Sequence, residues 1–440
     1  MTRLQHFGWF FSRGFGPQAW GRADYHWGYD WFRPELYVQA VQQLEQAGLD
    51  LVILEDALSI GNPSTIDLRT RQAYGGPKHD PLLLVPYLLN ATRHLGFTPT
   101  INPVATPPYL AARQAATLHH LSGGRYGMNV VTDVASSRHF GVEPLSHDGA
   151  YDRASEWLEV VKKLWHSWGE GAYVNDTASW HFADGAKIDA FRHTGDYYDV
   201  TGPLNAIPFD DGDPVIVSPG GSPRGIAFAG TNSEVQLALA PLDVSSVAGY
   251  RKRVIDAATD AGRSAASIKT LFVFKPEIVA SREEVDRVVA ASEHPTDEQL
   301  HAILLGQSSD LETDLTGLDW DRPVDPDAIF GDHVSRGSIK GLLAAASSFE
   351  DHTLRELLQR HARKGRAADR TGWVGTAEDI ADYIEEFGEV ADNDGFIFSG
   401  DLHPTTVHRF LDQLVPELRG RGLLRTEYGD GNLRANLTEF

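Results

Sequence analysis

Eight short apolar runs, separated by segments with helical periodicity, are the strongest constraint on the fold of this chain. The runs are apolar at consecutive positions, so both faces of each strand are expected to be buried. Eight strands, each followed by a helix, predict an α/β protein with a closed (β/α)8 (TIM) barrel rather than an open doubly wound sheet. The Rossmann-type alternative also lacks a G-x-G-x-x-G motif after the first strand. The predicted strands are 7–11, 49–56, 95–101, 126–131, 214–218, 235–240, 271–280 and 395–399.

Two stretches interrupt the alternation of strands and helices. Residues 166–213 are rich in Trp, Tyr, Asp and Gly, whereas residues 282–370 are helical, polar and charged. We expect both to be insertions on barrel loops of a single domain that spans residues 1–440.

The composition excludes several classes of function. The chain has 440 residues, with 39 Lys and Arg against 61 Asp and Glu, and this acidic balance argues against a general binder of nucleic acids or anionic membranes. The absence of cysteine excludes thiolate nucleophiles, disulfides and Cys-ligated metals, so catalysis must use other side chains or a bound cofactor. No apolar run approaches the ~20 residues of a membrane-spanning helix, and no signal-peptide pattern is present, so a cytoplasmic protein is expected.

Active sites of such barrels lie at the C-terminal ends of the strands. This position selects Asp56 after the second strand, Asn102 after the third, and residues 129–133, 218–222 and 399–403 at the fourth, fifth and eighth. The rule is a filter on position and does not identify a reaction.

The segment 218–225, SPGGSPRG, is the most informative of these strand ends. Its two glycines allow close approach of the backbone to a ligand. Ser222 and Pro223 then open a helix whose first N–H groups are free to bind an anion. Arg224 could add a positive charge. The alternative is an ordinary strand–helix turn with a serine cap, and these residues alone do not choose between the two.

His147 and Tyr151 lie four residues apart where a helix begins, which places both side chains on one face at the barrel mouth. They could hydrogen-bond a polar ligand, or they could cap and pack on the helix locally. No partner at metal-ligand spacing accompanies His139 or His147, so no metal site is expected.

Two further polar positions are candidates for catalysis. Asp56 ends an apolar strand and could act as a general base or accept a hydrogen bond from a ligand; the alternative is a loop acid that caps Ser59 or Asn62. His79, in the pair Lys78–His79, is either functional or a surface residue. Neither a Ser-His-Asp arrangement nor a glycosidase-like pair of carboxylates is evident from spacing.

Several longer segments occur in a characteristic order. They include YGGPKHDPLLLVPYLLNATRHLGFTPT, PPYLAARQAATLHHLSGGRYGMNVVTD, LWHSW, HTGDYYDVTGPLN, SPGGSPRG and VPELRGRGLLRTEYGDGNLRANL. In order and spacing they resemble the nitrilotriacetate and dibenzothiophene-sulfone monooxygenase branch of the bacterial-luciferase-like flavin-dependent proteins. The resemblance covers nearly the whole chain and is weakest at residues 286–370.

This resemblance implies a luciferase-type barrel that uses reduced FMN supplied by a separate NAD(P)H:flavin reductase. Carried over position by position, it implies a set of flavin contacts: Asp56 beside the isoalloxazine ring, Asn102 at the end of the third strand, Asn129 and Thr132 on the wall of the fourth, His147 and Tyr151 at the ribityl-phosphate end, and Gly220, Gly221 and Ser222 at the phosphate. The chain departs from the family pattern at Ser218-Pro219-Gly220, Asn102-Pro103, Asp133 and Ala150, which suggests an unusual substrate or unusual oxygen chemistry.

The implied activity is that of a catabolic monooxygenase that uses O2 and a flavin (hydro)peroxide to oxidise a small aromatic or heterocyclic substrate. Asp56 and His79 are the candidate catalytic residues. The substrate pocket is expected to be lined by Trp9, Phe11, Tyr74, His79 and the two insertions. Three alternatives stay open: a riboflavin lyase-like enzyme that cleaves the ribityl chain of a flavin substrate, a deazaflavin-dependent oxidoreductase on the same barrel, and a non-catalytic flavin-binding or structural paralogue. The family implies a homodimer or homotetramer.

Overall fold

The computed structural model describes residues 3–11, 30–61, 63, 65–71, 73, 77–207, 209, 212–311, 313–324, 352–400, 402, 404–429 and 431–438. Tyr74, Asn62 and His403, together with residues 325–351 of the second predicted insertion, lie outside the described residues.

Eight parallel strands close into a barrel in the order β1-β8-β7-β6-β5-β4-β3-β2. Closure is direct, because β1 pairs with both of its neighbours, His6 opposite Gly395 and Gly8 opposite Leu51. The predicted (β/α)8 barrel and all eight predicted strands are therefore confirmed. The strands are β1 His6–Phe11, β2 Leu51–Leu54, β3 Gly96–Ile101, β4 Gly127–Val130, β5 Val215–Ser218, β6 Val235–Ala238, β7 Lys269–Phe274 and β8 Gly395–Ser399.

Helices alternate with the barrel strands, and several begin at side-chain caps. Asp80 is the N-cap of the helix Pro81–Ala91 and accepts hydrogen bonds from the backbone N–H groups of Leu82 and Leu83. Among the described residues the α-helices are α1 Glu35–Gln46, α2 Ile66–Arg71, α3 Pro81–Ala91, α4 Pro108–Ser122, α5 His147–Trp165, α6 Pro223–Asn232, α7 Val244–Asp260, α8 Arg282–Glu293, α9 Asp297–Asp310, α10 Leu354–Ala362, α11 Ala377–Val390, α12 Pro404–Arg409, α13 Val415–Gly420 and α14 Leu433–Thr438; a π-helical turn, Phe410–Leu414, joins α12 to α13.

The core has two layers, because successive side chains of a strand point to opposite faces. In β2, Leu51 and Ile53 belong to the cluster inside the barrel, whereas Val52 and Leu54 pack outward against the helices. Trp9 also faces outward, and its ring meets Phe410 edge-on with 5.4 Å between centroids.

The C-terminal segment closes the N-terminal end of the barrel. Leu433 and Leu437 of α14 join the interior cluster, and a Cβ on Gly96 of β3 would lie 2.5 Å from a Leu433 methyl group. Arg425 Nη2 lies 2.5 Å from Asp50 Oδ1, and both side chains are buried. The opposite, C-terminal end of the strands is therefore the accessible one.

The first interrupting stretch carries two antiparallel hairpins, Tyr173–Asp176 with His181–Ala183 and Arg192–Thr194 with Asp199–Thr201. The second contains α8, α9 and α10, and its leucines form a small core of their own, which includes Leu300 and Leu358. The division into one barrel domain with two insertions stays a prediction. Within the described ranges, no helix is long and apolar enough to cross a membrane.

Candidate active site

Polar side chains inside the barrel mark its C-terminal end. Asn129 Nδ2 donates to Thr100 Oγ1 over 2.8 Å, and Thr100 Oγ1 donates to the carbonyl of Leu54 over 2.8 Å. Asn129 Oδ1 is buried and accepts no hydrogen bond among the described residues. Because a buried acceptor left unpaired costs free energy, Asn129 offers an acceptor suited to a bound ligand.

A small cleft lies between the ends of β3 and β4 and the start of α5. Asn102 and Thr132 both line it, together with Asp133, Leu145, Ala150 and Arg153. The Asn102 amide is already used, since Nδ2 donates to the Asp133 carbonyl and Oδ1 accepts from the Val104 N–H. Asn102 therefore joins two loops of the cleft wall.

Asp56 follows β2 in an acidic surrounding. Burial raises the pKa of its carboxyl to about 6; Lys78 opposes this rise, and the carboxylates of Asp80, Glu55 and Asp133 add to it. A carboxyl that titrates near neutrality at the barrel mouth can hold and release a proton under ordinary conditions.

Lys78 is not a surface residue. Its side chain is only 7% exposed, its Nζ lies 3.6 Å from Glu55 Oε1, and its ammonium donates no hydrogen bond within the described part of the chain. The surface alternative that the sequence left open for the Lys78–His79 pair is therefore wrong for Lys78.

His79 is held by the loop before α1. Its Nε2–H donates to the Trp31 carbonyl over 2.8 Å, and the Tyr37 hydroxyl donates to the same oxygen over 2.8 Å. The His79 ring also lies 5.3 Å from the Trp31 ring and 5.9 Å from the Tyr37 ring. Only Nδ1 is then left for chemistry.

The predicted pocket residues Trp9 and Phe11 lie elsewhere than expected. Both are buried in the layer between the barrel and its helices. The expectation that they form an open pocket wall is wrong, because outward-facing strand positions pack against helices in this fold.

The turn between β5 and α6 presents unused backbone donors. Ser222 is the N-cap of α6, and its Oγ accepts from the Gly225 N–H over 3.1 Å. The N–H groups of Gly221, Ser222 and Arg224 donate to no other described residue. Free N–H groups at the start of a helix are the donors that an anion site requires, so the turn has the geometry of the first alternative that the sequence left open.

His147 and Tyr151 converge on this turn from α5. His147 Nδ1 lies 2.8 Å from Asp148 Oδ1, and its Nε2 lies 3.3 Å from Ser222 Oγ. A Cβ built on Gly225 would lie 2.7 Å from the Tyr151 hydroxyl oxygen, and one on Gly220 would collide with that oxygen. The prediction that His147 and Tyr151 share one face is confirmed, and that face meets the turn.

Arg224 contributes less charge to the turn than the sequence suggested. Its Nη2 lies 2.5 Å from Asp152 Oδ1, so its guanidinium is already paired. Any anion at the turn would therefore depend chiefly on backbone donors and on neutral side chains.

The sequence analysis did not predict the buried side chains that contact the turn between β5 and α6 from the neighbouring strand β6 and helix α7. Gln236 of β6 is fully buried, and its Nε2 donates to the Gly220 carbonyl and to the Tyr250 hydroxyl, each over 3.1 Å. The available signal was a glutamine within the apolar run VQLALA. A buried amide in a strand requires a partner, and here the partner is the turn itself.

Comparison with known proteins identifies the family of this chain. The family model described as luciferase-like monooxygenase matches residues 6–393. The chain is 36% identical to the dibenzothiophene-sulfone monooxygenase of Rhodococcus erythropolis (strain XP), with 99% of this chain and 96% of the relative covered. It is 31% identical to nitrilotriacetate monooxygenase component A of Aminobacter aminovorans, with 92% and 89% covered.

A crystal structure of riboflavin lyase with modified FMN and substrate riboflavin is also similar, with a TM-score of 0.81 and 28% identity over 100% of this chain and 96% of that chain. Both the sequence and the barrel thus point to one family. The chain belongs to the luciferase-like monooxygenase family and is a flavin-dependent monooxygenase of the branch that includes the dibenzothiophene-sulfone and nitrilotriacetate monooxygenases.

Proposed function

We propose that this chain is the oxygenase of a two-component system. Reduced FMN would come from a separate NAD(P)H:flavin reductase, and the chain, as a homodimer or homotetramer, would oxidise a small aromatic or heterocyclic substrate in catabolism. The similarity to a protein named as component A supports the two-component arrangement. The similarity to an FMN-containing structure supports the cofactor.

The single observation that carries the cofactor proposal is the turn that contains Gly220, Gly221 and Ser222. Its unused N–H groups would bind the FMN phosphate, with the positive end of the α6 dipole behind them. His147 and Tyr151, which reach the same turn, would contact the ribityl-phosphate end. Backbone donors explain how a chain with a net charge of −22 can bind a phosphate dianion locally.

The ring of the flavin would lie at the C-terminal ends of β2, β3 and β4. Asn129 Oδ1 would accept a hydrogen bond from a ring N–H, and Asn102 and Thr132 would shape the neighbouring wall. Reduced FMN, when bound, supplies the electrons with which O2 oxygenates the substrate. The chain's own task is to orient the ring and exclude water.

Asp56 is the residue that we propose holds and releases the proton in this reaction. Its pKa, raised to about 6 chiefly by burial, suits proton exchange near neutral pH. His79 would act through Nδ1 or only hold the wall, since its Nε2–H is bound to the Trp31 carbonyl.

The cofactor site is tested by Ser222→Glu, with Thr231→Glu as the matched control. Thr231 is exposed near the C-terminal end of the same helix, α6. A carboxylate at position 222 would repel the phosphate and fill its site, so FMN affinity should fall at least about tenfold by fluorescence titration, while the control should bind as the wild type does. Unchanged FMN affinity in Ser222→Glu would refute the phosphate assignment.

A second candidate function follows from the riboflavin lyase similarity. In this alternative the substrate is itself a flavin, and the reaction cleaves its ribityl chain. Aerobic incubation with riboflavin, FMN, NADH and a flavin reductase separates the two candidates. Loss of riboflavin with release of its ring fragment supports the lyase, whereas unchanged riboflavin removes it.

A further inference from the structure

We propose that Gln236 is a positioning residue that turns the Gly220–Gly221 peptide towards the FMN phosphate, and that the Tyr250 hydroxyl donates a hydrogen bond to the same phosphate. This inference rests on the proposed FMN site and adds to it two residues that contact the turn. Neither residue belongs to the turn: Gln236 lies in β6 and Tyr250 in α7.

The orientation of the Gln236 amide follows from its partners. A carbonyl oxygen can only accept, so the amide nitrogen must face the Gly220 carbonyl, 3.1 Å away. The amide oxygen then accepts from Ser218 Oγ over 3.3 Å, and Ser218 is the residue opposite Gln236 in the β5–β6 pair. Ser218 Oγ in turn lies 2.8 Å from Ser233 Oγ. The Gln236 amide is therefore held by hydrogen bonds at both its oxygen and its nitrogen.

The bond to Gly220 decides where the Gly221 N–H points. The carbonyl of Gly220 and the N–H of Gly221 belong to one peptide group, which is trans, so they point in opposite directions. Gln236 draws the carbonyl towards the sheet, and the N–H of Gly221 then faces away from it, where it donates to no other described residue. Two consecutive glycines could otherwise rotate this peptide at little cost.

The Tyr250 hydroxyl is an unused hydrogen-bond donor among the described residues. Its oxygen accepts from Gln236 Nε2, so its own O–H is free to donate, and it donates to no described residue. Burial raises the pKa of Tyr250, with the Gln236 hydrogen bond opposing that rise, so the hydroxyl stays protonated. This oxygen lies 3.5 Å from the position of a Cβ on Gly221, beside the proposed phosphate contacts.

The side chain of Tyr250 is held for this role. Its ring packs edge-on against Phe272 with 5.7 Å between centroids, and the Arg253 guanidinium lies 5.2 Å from the ring centroid. The hydroxyl position is thus set by packing on the ring and by Gln236 at its tip. Little conformational entropy is lost when it meets a ligand.

The test compares FMN with riboflavin, which lacks the phosphate. Gln236→Met keeps the length of the side chain and removes its donors, and Tyr250→Phe removes only the hydroxyl. Each variant should lose about tenfold or more in FMN affinity and less than about threefold in riboflavin affinity. The reason is that Tyr250→Phe removes a contact with the phosphate and Gln236→Met removes the hydrogen bond that orients one, whereas riboflavin has no phosphate. The 31P chemical shift of bound FMN should move in both variants.

Gln5→Met is the matched control for Gln236→Met. Gln5 is also a buried glutamine whose Nε2 donates to a backbone carbonyl, that of Ile384 over 2.9 Å, but it precedes β1 at the other end of the barrel. It should destabilise the fold without changing the ratio of FMN to riboflavin affinity.

The inference is overturned if Gln236→Met and Tyr250→Phe keep the wild-type ratio of FMN to riboflavin affinity. Tyr250→Phe keeps the test valid if Gln236→Met does not fold. A wild-type chain that binds FMN no better than riboflavin, with an unperturbed 31P shift, refutes the phosphate site itself and this inference with it. Normal wild-type FMN preference with unaffected variants refutes only the roles of Gln236 and Tyr250.

Discussion

Adding a methyl group at position 220 should show how tightly the turn between β5 and α6 is packed and whether FMN binding depends on its geometry. In Gly220→Ala the new Cβ would collide with the Tyr151 hydroxyl and would lie 2.8 Å from Gly225 Cα. The tyrosine tip could move, but Gly225 Cα is backbone and cannot rotate away. The turn must therefore shift as a unit or the start of α6 must open.

The size of the effect follows from the two ways of relieving this contact. Overpacking a rigid site costs about 1–3 kcal/mol in the free energy of unfolding. If the turn instead moves to relieve the strain, its N–H groups leave their positions, and FMN affinity should fall by about tenfold to a hundredfold. For the unfolding measurement, Gly221→Ala is the matched control, because the nearest atom to its Cβ is the Tyr250 hydroxyl oxygen at 3.5 Å, an ordinary contact.

Urea unfolding of the apoprotein and FMN fluorescence titration measure the two effects separately. Gly220→Ala should be impaired in at least one of them, and Gly221→Ala should unfold like the wild type. The reasoning is refuted if Gly220→Ala matches the wild type in both assays, or if the two alanine variants are equally destabilised.

Two further predictions concern ionisable groups. The pKa of Asp56 is raised to about 6, so the contribution of this carboxyl to the stability of the fold is present at low pH and is lost as pH rises through about 6. Asp56→Asn should therefore stabilise the fold by roughly 1 kcal/mol at about pH 8, a figure reduced because Asp56 is partly exposed. The variant should not stabilise the fold at about pH 4, and calorimetry at both pH values measures the difference. An equal effect at both pH values would contradict the burial argument. Arg425→Met should destabilise the fold by about 3–5 kcal/mol in urea, because Asp50 would be left charged and buried; a loss below about 1 kcal/mol would show that the pair is dispensable.

The barrel could be predicted because its signals are local in sequence. Each strand is a short apolar run, and the alternation with helical segments repeats eight times. The start of α6 was equally local: Ser222 as cap and Pro223 at the first helical position are adjacent residues, and the structure confirms both. His147 and Tyr151 share a helix face for the same reason, since their spacing is that of one helical turn.

The pairing and burial of side chains around the candidate site could not be predicted, because they depend on contacts between residues far apart in the chain. Sequence spacing could not show that Asp152 neutralises Arg224, which lies 72 positions away, or that His147 reaches Ser222 across 75 positions. The same limit applies to Lys78, whose burial next to Glu55 follows from how the loop after β2 meets the segment before α3. Trp9 was misjudged because an alternating strand has two buried faces, and the sequence does not say which one meets the helices.

The sequence by itself therefore determined the barrel and the glycine–serine turn that begins α6, because hydrophobic periodicity and helix capping act over a few neighbouring residues. Only the tertiary structure decided what surrounds that turn. Gln236, sixteen residues further along the chain, meets Gly220 because neighbouring barrel strands bring it there. Side-chain hydrogen bonds across strands are set by the register of the closed barrel, which depends on all eight strands together.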